Sequence, residues 1–104
     1  MRAAAATAIA STPELVLVAR LSPTELAKAV PVDLEPLSFA EPEPSRGATL
    51  QLASGRHVVV IYGEVTQHLS VHAGDDAWNA VADFLRETGI RDTAIVWERS
   101  AVTR

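Results

Sequence analysis

The sequence of 104 residues contains no cysteine and only one lysine. The absence of thiols excludes disulfide bonds, iron–sulfur clusters, thiolate metal sites and a cysteine nucleophile. Positive charge comes almost entirely from arginines, which are scattered along the chain, and the net charge is −4. A protein that binds a nucleic-acid backbone needs a concentrated basic patch. The composition therefore argues against a nucleic-acid partner.

Long apolar runs are also absent, because no segment approaches the roughly 18 apolar residues that a membrane-spanning helix requires. We therefore expect no membrane partner and a cytoplasmic location. Aromatic residues make up only 5%, yet hydrophobic residues make up 48% and charged residues 21%, values typical of a folded globular domain. The abundant alanine, with arginine in place of lysine, suggests a bacterial origin.

The length of the chain fits one domain. We expect a flexible leader at residues 1–12, a single domain at residues 13–100 and a short tail at residues 101–104. Within the domain, residues 31–47 contain four prolines and four carboxylates, and their first basic residue is Arg46. This composition predicts an acidic, proline-rich linker or long loop.

Local chemistry marks two helices. Ser22 and Glu25 are spaced as a capping box around Pro23, which predicts a first helix from Pro23 to Val30. The second helix begins after Asp75 or Asp76 and ends at Gly89, where a left-handed residue belongs. Its predicted core face comprises Ala77, Trp78, Val81, Phe84, Leu85 and Thr88, and its polar face comprises Asn79, Asp83, Arg86 and Glu87.

Residues 14–20 are predicted as a strand, although the preceding residues Thr12 to Leu15 also resemble a helix start. The element order is strand, helix, three strands, helix, strand. It predicts an α+β domain with a mixed or antiparallel sheet of about five strands and both helices on one face. The crossover through the second helix should place the last strand parallel to the strand at residues 65–73. Trp97, on that last strand, is expected in the core.

A hairpin around Ser54–Gly55 determines the register of the strand that follows. If these two residues form the turn, Leu52 faces His57 and Leu50 faces Val59. The predicted core face then comprises Leu50, Leu52, Val59 and Ile61.

The same register places Val58, Val60 and Tyr62 on the opposite face of the sheet, which the helices leave uncovered. Monomers rarely expose an apolar patch of this kind without using it. The pattern predicts a homodimer through Val58, Val60 and Tyr62.

All three histidines, His57, His68 and His72, fall on two neighbouring predicted strands. A two-residue turn at Gly63–Glu64 would bring the three imidazoles to one face, which is a ligand set typical of catalytic zinc. A three-residue loop shifts the pairing by one residue and moves His68 and His72 away from His57. It also unites Val65, Leu69 and Val71 with Leu50, Leu52, Val59 and Ile61 on one apolar face. Because a one-residue slip reverses every side chain, burial favours this second register, and we expect no metal site.

The acidic segment from Val32 to Pro44 is a candidate partner-binding element. Its carboxylates, Asp33, Glu35, Glu41 and Glu43, would steer it toward a basic protein. Its apolar residues, Leu34, Leu37 and Phe39, would anchor it in a groove. Prolines keep such a segment extended and reduce the entropy lost on binding. In the alternative interpretation, the three apolar residues pack on the protein's own core and the segment is an ordered crossover.

The sequence carries none of the nucleotide-binding, hydrolase or zinc-protease motifs. We assign no catalytic residue and no cofactor. The favoured hypothesis is a small non-catalytic protein-interaction module, such as an inhibitor, an immunity-type protein or an accessory protein. The alternative hypothesis is a small metal-binding protein or enzyme that uses His57, His68 and His72.

Overall fold

Two helices and seven strands occupy the described part of the chain, which is residues 1–5, 13–37, 44–74 and 76–99 of a computed structural model. In chain order they are β1 (Arg2–Ala4), β2 (Glu14–Arg20), α1 (Pro23–Ala29), β3 (Glu35–Pro36), β4 (Ser45–Gln51), β5 (His57–Gly63), β6 (His68–Ala73), α2 (Ala77–Thr88) and β7 (Ile95–Glu98). A 3-10 turn at Asp92–Ala94 leads into β7. The predicted α+β class is confirmed, but the strand count exceeds the expected five.

All strands pair antiparallel in the order β1-β4-β5-β6-β2-β7, and β3 also pairs with β4. Strand β7 pairs with β2 rather than with β6. Since β2 is antiparallel to both, β7 runs parallel to β6, as the crossover predicts, but β2 lies between them. Helix α2 packs on β2, β5 and β6, and α1 packs against α2. We call the helix-covered side of the sheet the inner face and the opposite side the outer face.

The capping box at the start of α1 is complete. The Ser22 side chain accepts a hydrogen bond from the backbone N–H of Glu25 at 3.2 Å, and the Glu25 carboxylate accepts one from the backbone N–H of Ser22 at 2.9 Å. The helix begins at Pro23, as predicted, and ends at Ala29. Pro31 explains this end, because it disfavours the helical conformation of the preceding residue.

The register of β5 differs from the prediction at both of its turns. Leu50 pairs with Val58, and the backbone N–H of Leu52 donates to the carbonyl of Arg56 at 2.7 Å. The loop is therefore three residues long, 53–55, rather than two. On the other side, Tyr62 pairs with Leu69 across a four-residue turn, 64–67. The inner face consequently carries Leu50, Leu52, Val58, Val60, Tyr62, Leu69, Val71 and Ala73.

The predicted dimer residues lie inside this core. Val58 and Val60 are 0% exposed and Tyr62 is 4% exposed. Their assignment to an exposed face is wrong, because the three-residue loop reverses the side chains of β5 relative to the two-residue turn. The Tyr62 hydroxyl donates a hydrogen bond to the carbonyl of Leu21 at 2.8 Å, and burial raises the pKa of Tyr62.

Helix α2 is present as predicted, but two of its side chains lie on the opposite side from the prediction. Gly89 has φ 69° and ends the helix, as predicted. Asp83, expected on the polar face, is only 8% exposed, and Trp78, expected in the core, is 37% exposed. The Asp83 carboxylate accepts a hydrogen bond from the Arg56 guanidinium at 2.7 Å. This ion pair allows a carboxylate to be buried on the side of the helix that faces the sheet.

The charge cluster around Arg56 ties the 53–55 loop to α2. The Arg56 guanidinium also donates to Asp76 at 2.9 Å. A hydrogen bond from Ser54 and the Arg56 contact hold the pKa of Asp83 below its ordinary value. Asp76 precedes α2 with φ 59°, and its side chain makes no cap hydrogen bond. Asp75, the other proposed cap, lies outside the described residues.

The chain ends and the acidic segment also differ from the prediction where they are described. Residues 2–4, expected in a flexible leader, form β1, and Arg2 donates to the Gln51 side chain at 2.7 Å. The predicted linker contains β3 and the start of β4. Residues 6–12, 38–43 and 100–104 lie outside the described residues. No helix in the described ranges is long and apolar enough to cross a membrane.

Replacing Tyr62 with phenylalanine tests its place in the core. Tyr62→Phe leaves the buried carbonyl of Leu21 without this donor, so the free energy of unfolding should fall by about 1 kcal/mol. Urea denaturation measures the change. The oligomeric state, measured by sedimentation, should stay the same. Unchanged stability together with weaker self-association would place Tyr62 on the surface instead.

Replacing Gly89 with alanine tests the end of α2. A side chain at φ 69° is strained even though an added Cβ meets nothing within 4 Å. Gly89→Ala should therefore lower the free energy of unfolding by about 1 kcal/mol through backbone conformation alone. Thermal or urea unfolding provides the measurement. A neutral or stabilised variant would mean that the helix does not end in a left-handed residue here.

Candidate functional site

The outer face of the sheet carries a patch of aliphatic and aromatic side chains. In the described ranges no helix covers this face, because both helices pack on the inner one. The patch comprises Leu15 and Val18 on β2, Val59 and Ile61 on β5, and Trp97 on β7. Trp97 is 46% exposed and Leu15 is 37% exposed, while Val18, Val59 and Ile61 are half-buried. We call these five residues the outer patch.

Strand register aligns part of the outer patch in one line across the sheet. Each member pairs directly with the next across two neighbouring strands, so their side chains share the outer face. In order across the sheet, this central row is Trp97, Val18, Ser70, Ile61, Gly47 and Glu35. The row has a large indole on β7 at one side and no side chain at Gly47 on β4.

A groove of about 350 Å³ opens on the outer face above Gly47. Residues around it include Asp33, Glu35, Leu37, Gly47, Thr49, Val59 and Ile61. A Cβ at Gly47 would lie 2.8 Å from the carbonyl oxygen of Val60 and 3.2 Å from Cδ1 of Leu37. Glycine is therefore required here for close approach, and Leu37 packs against it, so Gly47 itself is buried.

The predicted acidic segment forms one wall of this groove. Asp33 and Glu35 are exposed, Leu37 is half-buried against Gly47, and Leu34 packs against the core. Leu34 packs on the protein's own core, as expected for an ordered crossover. Asp33 and Glu35 remain accessible, as expected for a partner-binding segment. Phe39, Glu41 and Glu43 lie outside the described residues.

The three histidines lie on the outer face, contrary to the register that burial was expected to favour. His57 pairs with Gln51, His72 with Val59, and His68 with Gly63. The four-residue turn, rather than the two-residue turn considered for a zinc site, brings them to one side. Within the described ranges no three His, Cys, Asp or Glu side chains are close enough together to hold a metal ion.

His72 is the histidine most enclosed by apolar neighbours. It pairs with Leu15 on one side and with Val59 on the other, both members of the outer patch. Burial lowers the pKa of His72 below its ordinary value of 6.5, because the charged imidazolium loses hydration there. The neutral form therefore completes the apolar surface at neutral pH.

A second groove, of about 670 Å³, lies on the inner side between α1 and the end of β5. Its walls are mostly apolar, with Leu26, Val30 and Tyr62 among them. The charged side chains at its rim include Arg46 and Glu64, which pair with each other at 2.8 Å. The carboxylates that line this groove are Asp33 and Glu64, and Glu64 is already paired with Arg46.

Comparison with models of known protein families, with curated proteins and with solved structures finds no match to this chain. The outer patch must therefore be interpreted from its own geometry. From the sequence, Val59, Ile61 and Trp97 were predicted to lie in the core, and Leu15 and Val18 were not predicted at the surface. The signal that could have corrected β5 is Gly55, because a three-residue hairpin loop favours glycine at its left-handed third position.

The lowered pKa of His72 predicts a pH dependence of stability. The unfolded chain, with an ordinary pKa near 6.5, takes up this proton before the folded chain does, so the free energy of unfolding should decrease as pH falls from about 7 to about 5. The pKa values of Asp76 and Asp83 lie below 3.8, so their contributions persist through this range.

Urea denaturation at several pH values measures this slope. His72→Gln, which cannot ionise, should show a smaller slope over the same range than the unmodified chain. An identical slope in both proteins would assign the pH dependence to other groups.

Proposed function

We propose that this chain is a cytoplasmic, non-catalytic protein-interaction domain that works as a homodimer and associates through the outer face of its sheet. The observation that carries the proposal is the outer patch, an apolar surface on the side of the sheet that no described helix covers. Burial of such a patch against a second protein surface is favourable by roughly 25 cal/mol for each Å² removed from water. Apolar groups on a protein surface mark interaction sites when they are large enough.

The dimensions of the face support a dimer of standard size. The molecule measures 32 × 31 × 24 Å, and a two-layer fold is thinnest across its layers. The outer face therefore extends along the two longer axes. A standard interface takes about 800 Å² from each partner, which a face of this extent can supply.

The composition of the face also fits an interface. Aromatic residues are enriched where proteins meet, and lysine and glutamate are depleted from the centres of interfaces. Val18 lies in the middle of the central row beside Ser70, Trp97 lies at one side of the row, and Glu35 lies at the other with Asp33 nearby. The acidic segment predicted to bind a partner is thus continuous with the same surface.

A lysine substitution at the centre of the patch tests the proposal. Val18→Lys would bury an unpaired ammonium group in the interface on each copy, so dimer affinity should fall by about 100-fold or more. Val65→Lys is the control, because it introduces the same charge at a valine that is 73% exposed and lies in the 64–67 turn, away from the patch. Sedimentation equilibrium over a range of concentrations measures both affinities.

Circular dichroism must show that both variants remain folded. The proposal fails if the unmodified chain is a monomer at about 50 μM, where a dimer with a Kd of about 10 μM or tighter is mostly associated. It also fails if Val18→Lys and Val65→Lys dimerise equally well.

A further inference from the structure

One stripe of α1 forms a wall of the second groove, the one between α1 and the end of β5. Pro23, Leu26, Ala27 and Val30 all line this groove, and their spacing places them on one face of the helix. Leu26 is half-buried, whereas Pro23 and Ala27 are exposed. The wall is therefore an apolar surface that solvent can reach.

The residues that follow α1 line the same groove and add a charge to it. Val32 and Leu34 are half-buried and pack against the core, while Asp33 between them is exposed. Among the described residues no arginine or lysine pairs with Asp33 or with the nearby Glu35. The groove thus joins apolar walls to a carboxylate that no cation of the described chain neutralises.

The sheet side of the groove supplies a second carboxylate. Glu64 lies in the 64–67 turn after β5, and its Oε1 accepts a hydrogen bond from the Arg46 guanidinium at 2.8 Å. Both side chains are exposed, so this ion pair contributes little to stability. A carboxylate accepts several hydrogen bonds, and Glu64 can therefore bind a second cation in addition to Arg46.

We propose that the second groove binds a basic segment of a partner protein. An apolar side chain of that segment packs between α1 and residues 32–34, and an arginine or lysine beside it pairs with Asp33 and Glu64. The groove shares no residue with the outer patch, so this site goes beyond the proposed homodimer and does not depend on it.

The charges at the groove select against anionic occupants. A fatty acid, a nucleotide or an anionic membrane would bring further negative charge to Asp33, while Arg46 is already paired with Glu64. A second copy of this chain is also a poor match, because it carries 13 acidic and 9 basic side chains. A basic segment gains electrostatic attraction as well as apolar burial.

The exposure of the walls favours a protein segment over an isolated small molecule. A small-molecule site encloses most of its ligand, whereas the exposed Pro23, Ala27 and Pro31 leave this groove open to solvent. Its volume of about 670 Å³ is larger than any one side chain. A segment anchored by its apolar side chains can cover these walls while its backbone continues over the surface.

Selection from random linear peptides displayed on phage tests the chemistry of the occupant. Peptides that bind the unmodified chain should be enriched in an aromatic or aliphatic residue flanked by arginine or lysine. A synthetic copy of an enriched peptide, labelled with fluorescein, then gives the affinity by fluorescence anisotropy. Enrichment of acidic or uncharged peptides, or of no peptide at all, would contradict the proposal.

A large side chain placed in the groove tests its location. Ala27→Trp fills the space without a change of charge, so the affinity for the enriched peptide should fall by about 10-fold or more. Thr24→Trp is the matched control, because Thr24 is also exposed on α1 but does not line the groove. Its affinity should stay the same. Circular dichroism verifies that both variants are folded.

Charge reversal tests the basic part of the segment. Asp33→Lys should lower the affinity by about 10-fold or more at low ionic strength, and added salt should reduce the difference, because exposed charges are screened. Asp92→Lys is the matched control, since Asp92 is an exposed aspartate that does not line the groove. An equal loss in both variants would mean that only the overall charge attracts the peptide, which overturns the site.

Sedimentation equilibrium separates this site from the proposed function. Ala27→Trp should dimerise as tightly as the unmodified chain, and weaker dimerisation would mean that a second copy occupies the groove, contrary to the proposal. A chain that stays monomeric but binds basic peptides through the groove overturns the homodimer alone. If Val18→Lys breaks the dimer but Ala27→Trp binds the peptide as tightly as the unmodified chain, the groove site is wrong and the proposed function stands.

Discussion

The register of β5 is the constraint on which the rest of the structure depends. This strand lies at the middle of the sheet, and its partners on both sides are fixed by turns of three and four residues. Because successive side chains alternate between faces, these two turns decide which residues α2 can cover. They bury Val58, Val60 and Tyr62 and leave Val59 and Ile61 on the outer face. The Tyr62 hydrogen bond to Leu21 reinforces the same choice.

Local chemistry predicted the elements better than their pairing. The capping box of α1 and the left-handed Gly89 depend on residues close in sequence, so their signals are visible without any tertiary information. Strand β5 carries no such signal within itself, because its residues from Val58 to Tyr62 are all apolar and fit either face, and only Gly55 in the preceding loop favours the observed register. A difference of one residue in loop length then reverses the assignment. The short strands β1 and β3 have no apolar alternation, and only their pairing with β4 reveals them.

The candidate surface was harder to predict than the fold for the same reason. An expectation of an exposed apolar face followed correctly from placing both helices on one side of the sheet, but it named the wrong side chains. Trp97 and Trp78 are apolar residues in otherwise regular elements, and composition favours the core for both. Asp83 is the opposite case, a charged residue that is buried. Its carboxylate on α2 is paired with Arg56, a residue distant in sequence. Such long-range charge pairing leaves no periodic signal.

Strands β1 and β3 both pair with the outer edge of β4 and thereby limit how the protein can associate through its strand edges. An open edge strand presents unpaired N–H and C=O groups that recruit further strands and seed fibrils. Here β1 covers one end of the β4 edge and β3 covers the other, while the opposite edge of the sheet is β7, only four residues long. Little edge therefore remains, in the residues described, to template cross-β growth. The pairing of β1 and β3 with β4 therefore leaves only short edges at which a further strand could add.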